Sequence, residues 1–228
     1  MCTRYGGRGT LLIRLGLLLV LMVGLGGCKQ QEKLLKFGIH YGKVSVSDIR
    51  GYDLVILEPS SYTHREVEQL TQSNARIIGY VSMGEVGPYR WYYPLLKDRG
   101  LLEKNPNWNA YYINLEDSVS RNILMNKAIP EIMAKGFEGL FLDTVDDVAP
   151  YTERSHMQDE MQAMIEMLDR RYPEAYIIQN SGLFLFDSTK NHVDAFMLED
   201  VASMYDFDSK KYRVVDDSIY KDRLDTVR

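Results

Sequence analysis

Cysteine is nearly absent from this chain. Of 228 residues only Cys2 and Cys28 carry a thiol, and both fall in an N-terminal segment unlike the rest. A folded part without cysteine excludes disulfides, thiolate metal sites and a cysteine nucleophile, so its stability rests on the core alone. The four histidines, His40, His64, His156 and His192, lack a ligand spacing such as His-x-x-x-His, and His40 reads as a structural residue at a strand end. Asn180-Ser181-Gly182 lacks the first glycine of a nucleophile elbow. Glycine-rich phosphate loops, internal repeats and low-complexity stretches are missing too.

Acids are absent from the first 28 residues. Arg4, Arg8 and Arg14 precede an apolar stretch at residues 15–27 that is too short for a membrane span, the layout of a secretory signal. It ends in Leu25-Gly26-Gly27-Cys28, which looks like a bacterial lipobox, so Cys28 is expected to carry lipid. Residues 1–28 are therefore read as a lipoprotein signal, 29–35 as a tether and 36–228 as the folded domain. The domain is expected to be exported and held at a bacterial membrane, facing the periplasm or the exterior. Loss of the three signal arginines takes the net charge from -5 to -8. So acidic a domain is a poor nucleic-acid binder and a plausible host for a cationic ligand.

Within the domain, seven apolar runs read as strands: residues 37–41, 54–57, 77–83, 111–115, 139–142, 176–179 and 195–198. Thr63 and Glu66 form a capping box ahead of a helix that buries Val67 and Leu70. A second helix is expected over 119–135, ended by Gly136. Met157, Met161, Met164, Ile165 and Leu168 recur at helical spacing and place a third helix on the core. Strands that alternate with helices imply a parallel sheet. The fold class is therefore α/β, a (β/α)8 TIM-barrel-like domain apparently truncated before the eighth strand. After residue 198 only a loop and a helix near 217–227 are expected, which leaves two strand edges unpaired.

Five of these runs stop on carboxylates: Glu58; Glu85; Glu116 with Asp117; Asp143 with Asp146 and Asp147; and Glu199 with Asp200. Ligands of such sheets sit at the carboxyl ends of the strands, so the acids should converge on one rim. Crowded carboxylates repel unless a cation, a metal ion or a shared proton offsets them. The long connection at 86–100 brings Tyr89, Trp91, Tyr92 and Tyr93, with Trp108 beyond it. Flat aromatic faces accept apolar ligand surfaces and attract cationic groups.

The run Ile78-Gly79-Tyr80-Val81-Ser82-Met83-Gly84-Glu85 is followed by Tyr89-Arg90 and Trp91, then by Gly139-Leu140-Phe141-Leu142-Asp143-Thr144, Gln179-Asn180 and Leu198-Glu199-Asp200. In this order the motifs resemble glycoside hydrolase family 114, the endo-α-1,4-polygalactosaminidase type of barrel, over about residues 37–225. The chain departs from the family at Gly87, where a second acid is common. The resemblance implies a substrate of α-1,4-linked galactosamine or N-acetylgalactosamine polysaccharide, and Asp143 and Glu199 as the catalytic acids. Glycosidic hydrolysis needs one carboxyl to protonate the leaving oxygen and another to act as nucleophile or to activate water. Asp143 is assigned as nucleophile or base. Glu199 is assigned as the acid, because its longer side chain reaches a leaving group more easily.

Candidates for substrate contact are Tyr41, Glu58, Tyr80, Glu85, Tyr89, Arg90, Trp91, Asp146, Asn180 and Asp200, with Tyr62 and Trp108 as further aromatics. Neither cofactor nor metal is expected, nor nucleic acid. The chain is read as a monomer that meets polysaccharide and, through its lipid, a membrane. Plainer readings stand beside these. They take Asp143 as a cap of its loop, Glu199 as the partner of Arg90 or Lys43, Glu85 as the partner of Arg90, and Asp146 and Asp147 as solvated loop acids. For the whole chain the alternatives are a surface polysaccharide-binding protein without catalysis, and a hydrolase whose acids hold a divalent metal.

Overall fold

The computed structural model describes residues 36–73 and 75–225. The expected signal, the tether and the lipidated Cys28 lie outside the described residues. In chain order the strands are β1 (Phe37–His40), β2 (Leu54–Leu57), β3 (Arg76–Ser82), β4 (Glu85–Val86), β5 (Leu101–Lys104), β6 (Tyr111–Ile113), β7 (Gly139–Asp143), β8 (Tyr176–Asn180), β9 (Ala195–Met197), β10 (Ser203–Asp206) and β11 (Lys211–Val214). Six of them form one sheet in the order β1-β2-β3-β7-β8-β9, each pair parallel. With helices on its connections this sheet makes a TIM-barrel-like α/β fold.

Side chains alternate between the two faces of a strand, and that parity aims the rim. Leu54, Ile56, Ile78, Phe141 and Ile178 share the inner cluster, joined by Ile39, Tyr80, Ala195 and Met197. Val55, Leu57 and Ile77 turn outward to meet Val67 and Leu70. Two residues on from the inner set stand Tyr41, Glu58, Ser82, Asp143, Asn180 and Glu199, each at or just beyond the carboxyl end of its strand. The alternation that fills the core thus delivers five of these six, all but Glu58, to one cleft.

The helices follow their local signals. Thr63 caps the helix His64–Thr71 with both halves of the capping box made. The second helix runs Ser118–Ile123, widens into a π turn at Leu124–Ala128, and resumes as Ile129–Ala134 before Gly136 at φ +90°. The wide turn lies directly ahead of Pro130, whose ring would clash with the carbonyl four residues back and which has no N–H to donate. Met161, Met164, Ile165 and Leu168 are buried along the helix Gln158–Arg171. Among the described residues no helix is long and apolar enough to cross a membrane.

Two expectations change. The run at 111–115 does not enter the parallel sheet; β6 instead pairs antiparallel with β4 and β5 in a separate three-stranded sheet. A parallel neighbour needs a long crossover, usually helical. Between β3 and β6 the chain offers only the short helix Tyr93–Leu96, whereas the helices spanning 118–134 follow β6 and deliver β7 beside β3. Asp117 therefore caps a helix, its carboxylate accepting the N–H groups of Val119 and Ser120, and Glu116 stays with it away from the rim. Beyond β9, the segment read as a loop forms a hairpin of β10 with β11. Its strands, SMYD and KYRV, are largely exposed and carry no apolar run, so nothing set them apart from a loop.

Candidate active site

Asp143, Asn180 and Glu199 line a cleft of about 640 Å³ at the carboxyl rim, together with Tyr41, Tyr80, Glu85, Tyr89, Arg90, Trp108 and Asp146. Asn180 is its hub. The Nδ2 of Asn180 donates to Oδ1 of Asp143 at 2.8 Å and to Oε1 of Glu199 at 2.9 Å. One amide nitrogen holds both acids, so the bonded oxygens are no farther apart than two hydrogen bonds laid end to end. That closeness brings the carboxyl groups toward the about 5–5.5 Å separation of retaining glycosidases.

The two acids have different neighbours. The other oxygen of Asp143 accepts the hydroxyl of Tyr80 at 2.5 Å, so donors orient the carboxylate from two sides. Burial, and then the charge of Asp143, raise the Tyr80 phenol far above its ordinary value, which keeps it a donor. Tyr41, edge-on to Tyr80 at 5.7 Å, is pushed up to about 12 by burial and by the charges of Asp143, Glu199 and Glu58. The Glu199 carboxyl is also raised. Burial is the main cause and outweighs the Asn180 hydrogen bond, and the charges of Asp143, Asp200 and Asp146 add to it. Glu199 still touches solvent at the mouth. A proton is thus retained longer on Glu199 than on an ordinary glutamate, which suits an acid.

A second set of acids flanks this pair. Glu85 is buried and accepts Nδ2 of Asn105; burial raises its carboxyl despite that bond. Burial, followed by the charges of Glu85 and Asp146, pushes Asp147 up to about 8. One Asp147 oxygen is buried without a hydrogen-bond partner. Asp147 is therefore enclosed rather than solvated, and the crowding of the rim is relieved by a proton. Asp146 is raised as well, by burial and then by Asp143 and Asp200. Behind them the Arg154 guanidinium lies 3.5 Å over the Tyr112 ring and donates to Glu103 and to the Asp147 carbonyl.

The floor is fixed by a tie between β3 and β7. Thr144, at φ +59°, accepts the Gly84 N–H through Oγ1 at 2.8 Å and bonds Ser82 Oγ at 2.9 Å. Gly84 has no room for a side chain: a Cβ would stand 2.5 Å from Asp147 Oδ2 and 2.8 Å from the Thr144 carbonyl oxygen.

Several expected contacts stand elsewhere. Arg90 donates through both terminal nitrogens to Glu58, with Nη2 to Oε2 at 2.7 Å, in a largely buried pair. Arg90 thus serves neither Glu85 nor Glu199, and Lys43 pairs with Glu66. Glu58 sits behind Arg90 instead of on the cleft wall. Trp91 opens on a neighbouring cavity of about 260 Å³ walled by Pro59, Glu131 and Lys135. Asp200, exposed and at φ +54°, is not part of the cleft lining. Tyr62 is a core residue whose hydroxyl bonds Val44 and Gly42. Asn180 has both amide protons on the acids and its Oδ1 buried without a partner, so it serves to hold the acids and leaves no exposed group for a sugar hydroxyl. At Gly87 a Cβ would lie 2.3 Å from the Tyr89 ring, which packs against the glycine. Asn105 carried no sequence signal, since a loop asparagine has no diagnostic spacing, and Ser82 stood in the family-like run without a role of its own. Among the described residues no cluster of acids and histidines is arranged to hold a metal ion.

A family model, described as glycoside-hydrolase family GH114, matches residues 29–218. Among solved structures, the glycoside hydrolase domain of PelA from Pseudomonas aeruginosa is similar with a TM-score of 0.76 and 22% identity, over 85% of this chain and 78% of that one. Aspergillus fumigatus Ega3, in complex with galactosamine, gives a TM-score of 0.66 and 17% identity, over 73% of this chain and 67% of that one. A stretch of 106 residues is 28% identical to uncharacterized protein MJ1477 of Methanocaldococcus jannaschii, covering 45% of this chain and 31% of that protein. The match thus spans under a third of that relative.

Proposed function

Because the chain belongs to glycoside-hydrolase family GH114, we propose that it is an exported, lipid-anchored enzyme that cuts α-1,4-linked galactosamine or N-acetylgalactosamine polysaccharide with Asp143 and Glu199. The observation that carries this reading is the Asn180 amide, which donates to both carboxylates at once. Glu199 gives its proton to the bridging oxygen while Asp143 attacks the anomeric carbon. The glycosidic bond breaks, an Asp143 ester forms, and the leaving chain departs with the proton. Ionised Glu199 then takes a proton from water, whose oxygen attacks the same carbon and frees Asp143, so the anomeric configuration is retained.

The acids around the cleft favour a substrate with free amino groups. The galactosamine held by Ega3 supports an amino-sugar substrate here. Incubated with partly deacetylated polymer, the purified chain should release oligosaccharides whose new reducing ends keep the α configuration when followed by NMR. Asp143→Asn and Glu199→Gln should each lower kcat by roughly 10²–10⁴-fold while polymer binding persists. Undiminished turnover in those variants sinks the assignment. Binding without any product from the wild type would make the chain a polysaccharide-binding protein instead. Cys28→Ala should move the protein from the membrane to the soluble fraction.

A further inference from the structure

Outside the cleft, the most contiguous exposed apolar feature is on the hairpin. The β10–β11 ladder sets Tyr205 opposite Tyr212, and Phe207, the first residue of the turn after β10, packs on Tyr205. Trp108, on the cleft wall, meets Phe207 edge-on at 5.4 Å; Phe207 meets Tyr205 at 5.2 Å, and Tyr205 meets Tyr212 at 5.2 Å. The four rings make one unbroken row leading away from the cleft. Trp108, Phe207 and Tyr212 are 61%, 42% and 78% exposed. Contiguous apolar groups held in water mark a surface that a ligand covers.

We propose that this row is an outlying sugar-binding surface, occupied by residues of the same polysaccharide that extend past the cleft. The proposal rests on the cleft being a polysaccharide site. Two observations select this occupant. The row begins at a residue of the cleft wall, so a chain leaving the cleft on that side runs directly onto it. The hairpin also starts only a short loop after Glu199, which tethers the row close to the acid. Its form is set before any ligand arrives, because the Asp206 carboxylate accepts the N–H groups of Asp208 and Ser209 and shapes the turn. Ring faces suit a pyranose, and an ammonium group on the sugar is drawn to the same rings. Contacts outside the cleft add to those within it, since linked sugars bind the second surface at high effective concentration.

The test compares full-length wild type, Tyr212→Ala, Phe207→Ala and Tyr212→Trp in the Asp143→Asn background, which prevents turnover. Affinity is measured for partly deacetylated α-1,4-galactosamine polymer and for its trisaccharide. Each alanine variant should weaken polymer binding by roughly two- to fivefold, the scale of an exposed cation–π contact. The trisaccharide should bind all four proteins alike, and Tyr212→Trp should keep the polymer affinity. Equal polymer affinity across the set overturns the proposal, as does a parallel loss for polymer and trisaccharide. So does a change in sedimentation mass without a change in polymer affinity, which would assign the rings to a second copy of the chain. If the wild type ignores galactosamine polymer but binds another polysaccharide through Tyr212, the hairpin reading stands and the proposed substrate falls. A wild type that binds no polysaccharide in a panel of neutral and amino-sugar polymers ends both.

Discussion

Asp143 and Glu199 are made unequal by their neighbours. Tyr80 and Asn180 donate to Asp143, while Glu199 is raised by burial and by nearby negative charge, Asp200 included. A general acid works only while protonated, so kcat/KM should fall as pH rises through the Glu199 pKa. Asp200→Asn removes one like charge, lowers that pKa and should shift the alkaline limb of the pH profile to lower pH, with the acidic limb unmoved. An unshifted limb would mean that another group sets it. The positions of the two acids were legible because each closes a strand-like run, and the carboxyl ends of parallel strands face the ligand. The role of Asn180 was not, because its amide finds its acceptors on neighbouring strands only after the sheet has formed.

At the scale of elements, the β3 and β7 ends act as one unit through Gly84 and Thr144. Gly84→Ala would drive a methyl group against the Thr144 carbonyl, which is backbone and cannot swing aside. The expected loss is about 1–3 kcal/mol, the range for overpacking, seen as a lower urea midpoint together with reduced kcat. An unchanged midpoint would show that the two loops are not interlocked. Local signals carried most elements. The Thr63 capping box, the Met161 to Leu168 face and six strands were readable because each depends on residues near one another in sequence. Partner choice was not readable. Whether residues 111–113 join the parallel sheet turns on where the crossover helix falls, and the hairpin strands lack an apolar run to mark them.

For the molecule as a whole, Asp147 links protonation to folding. Its pKa rises from the ordinary 3.8 to about 8 on burial. Between these values the folded chain holds a proton that the unfolded chain has lost, so stability falls as pH rises across that window and levels off above about 8. Asp147→Asn should match wild type in Tm near pH 4 and exceed it at pH 8, by roughly 2–4 °C for each kcal/mol recovered. A wild-type Tm that is flat between those pH values would contradict the buried acid. That concealed proton has an electrical consequence. The native chain should drift toward the anode more slowly than a tally of its acids implies, and denaturing it in weakly buffered neutral water should acidify the solution.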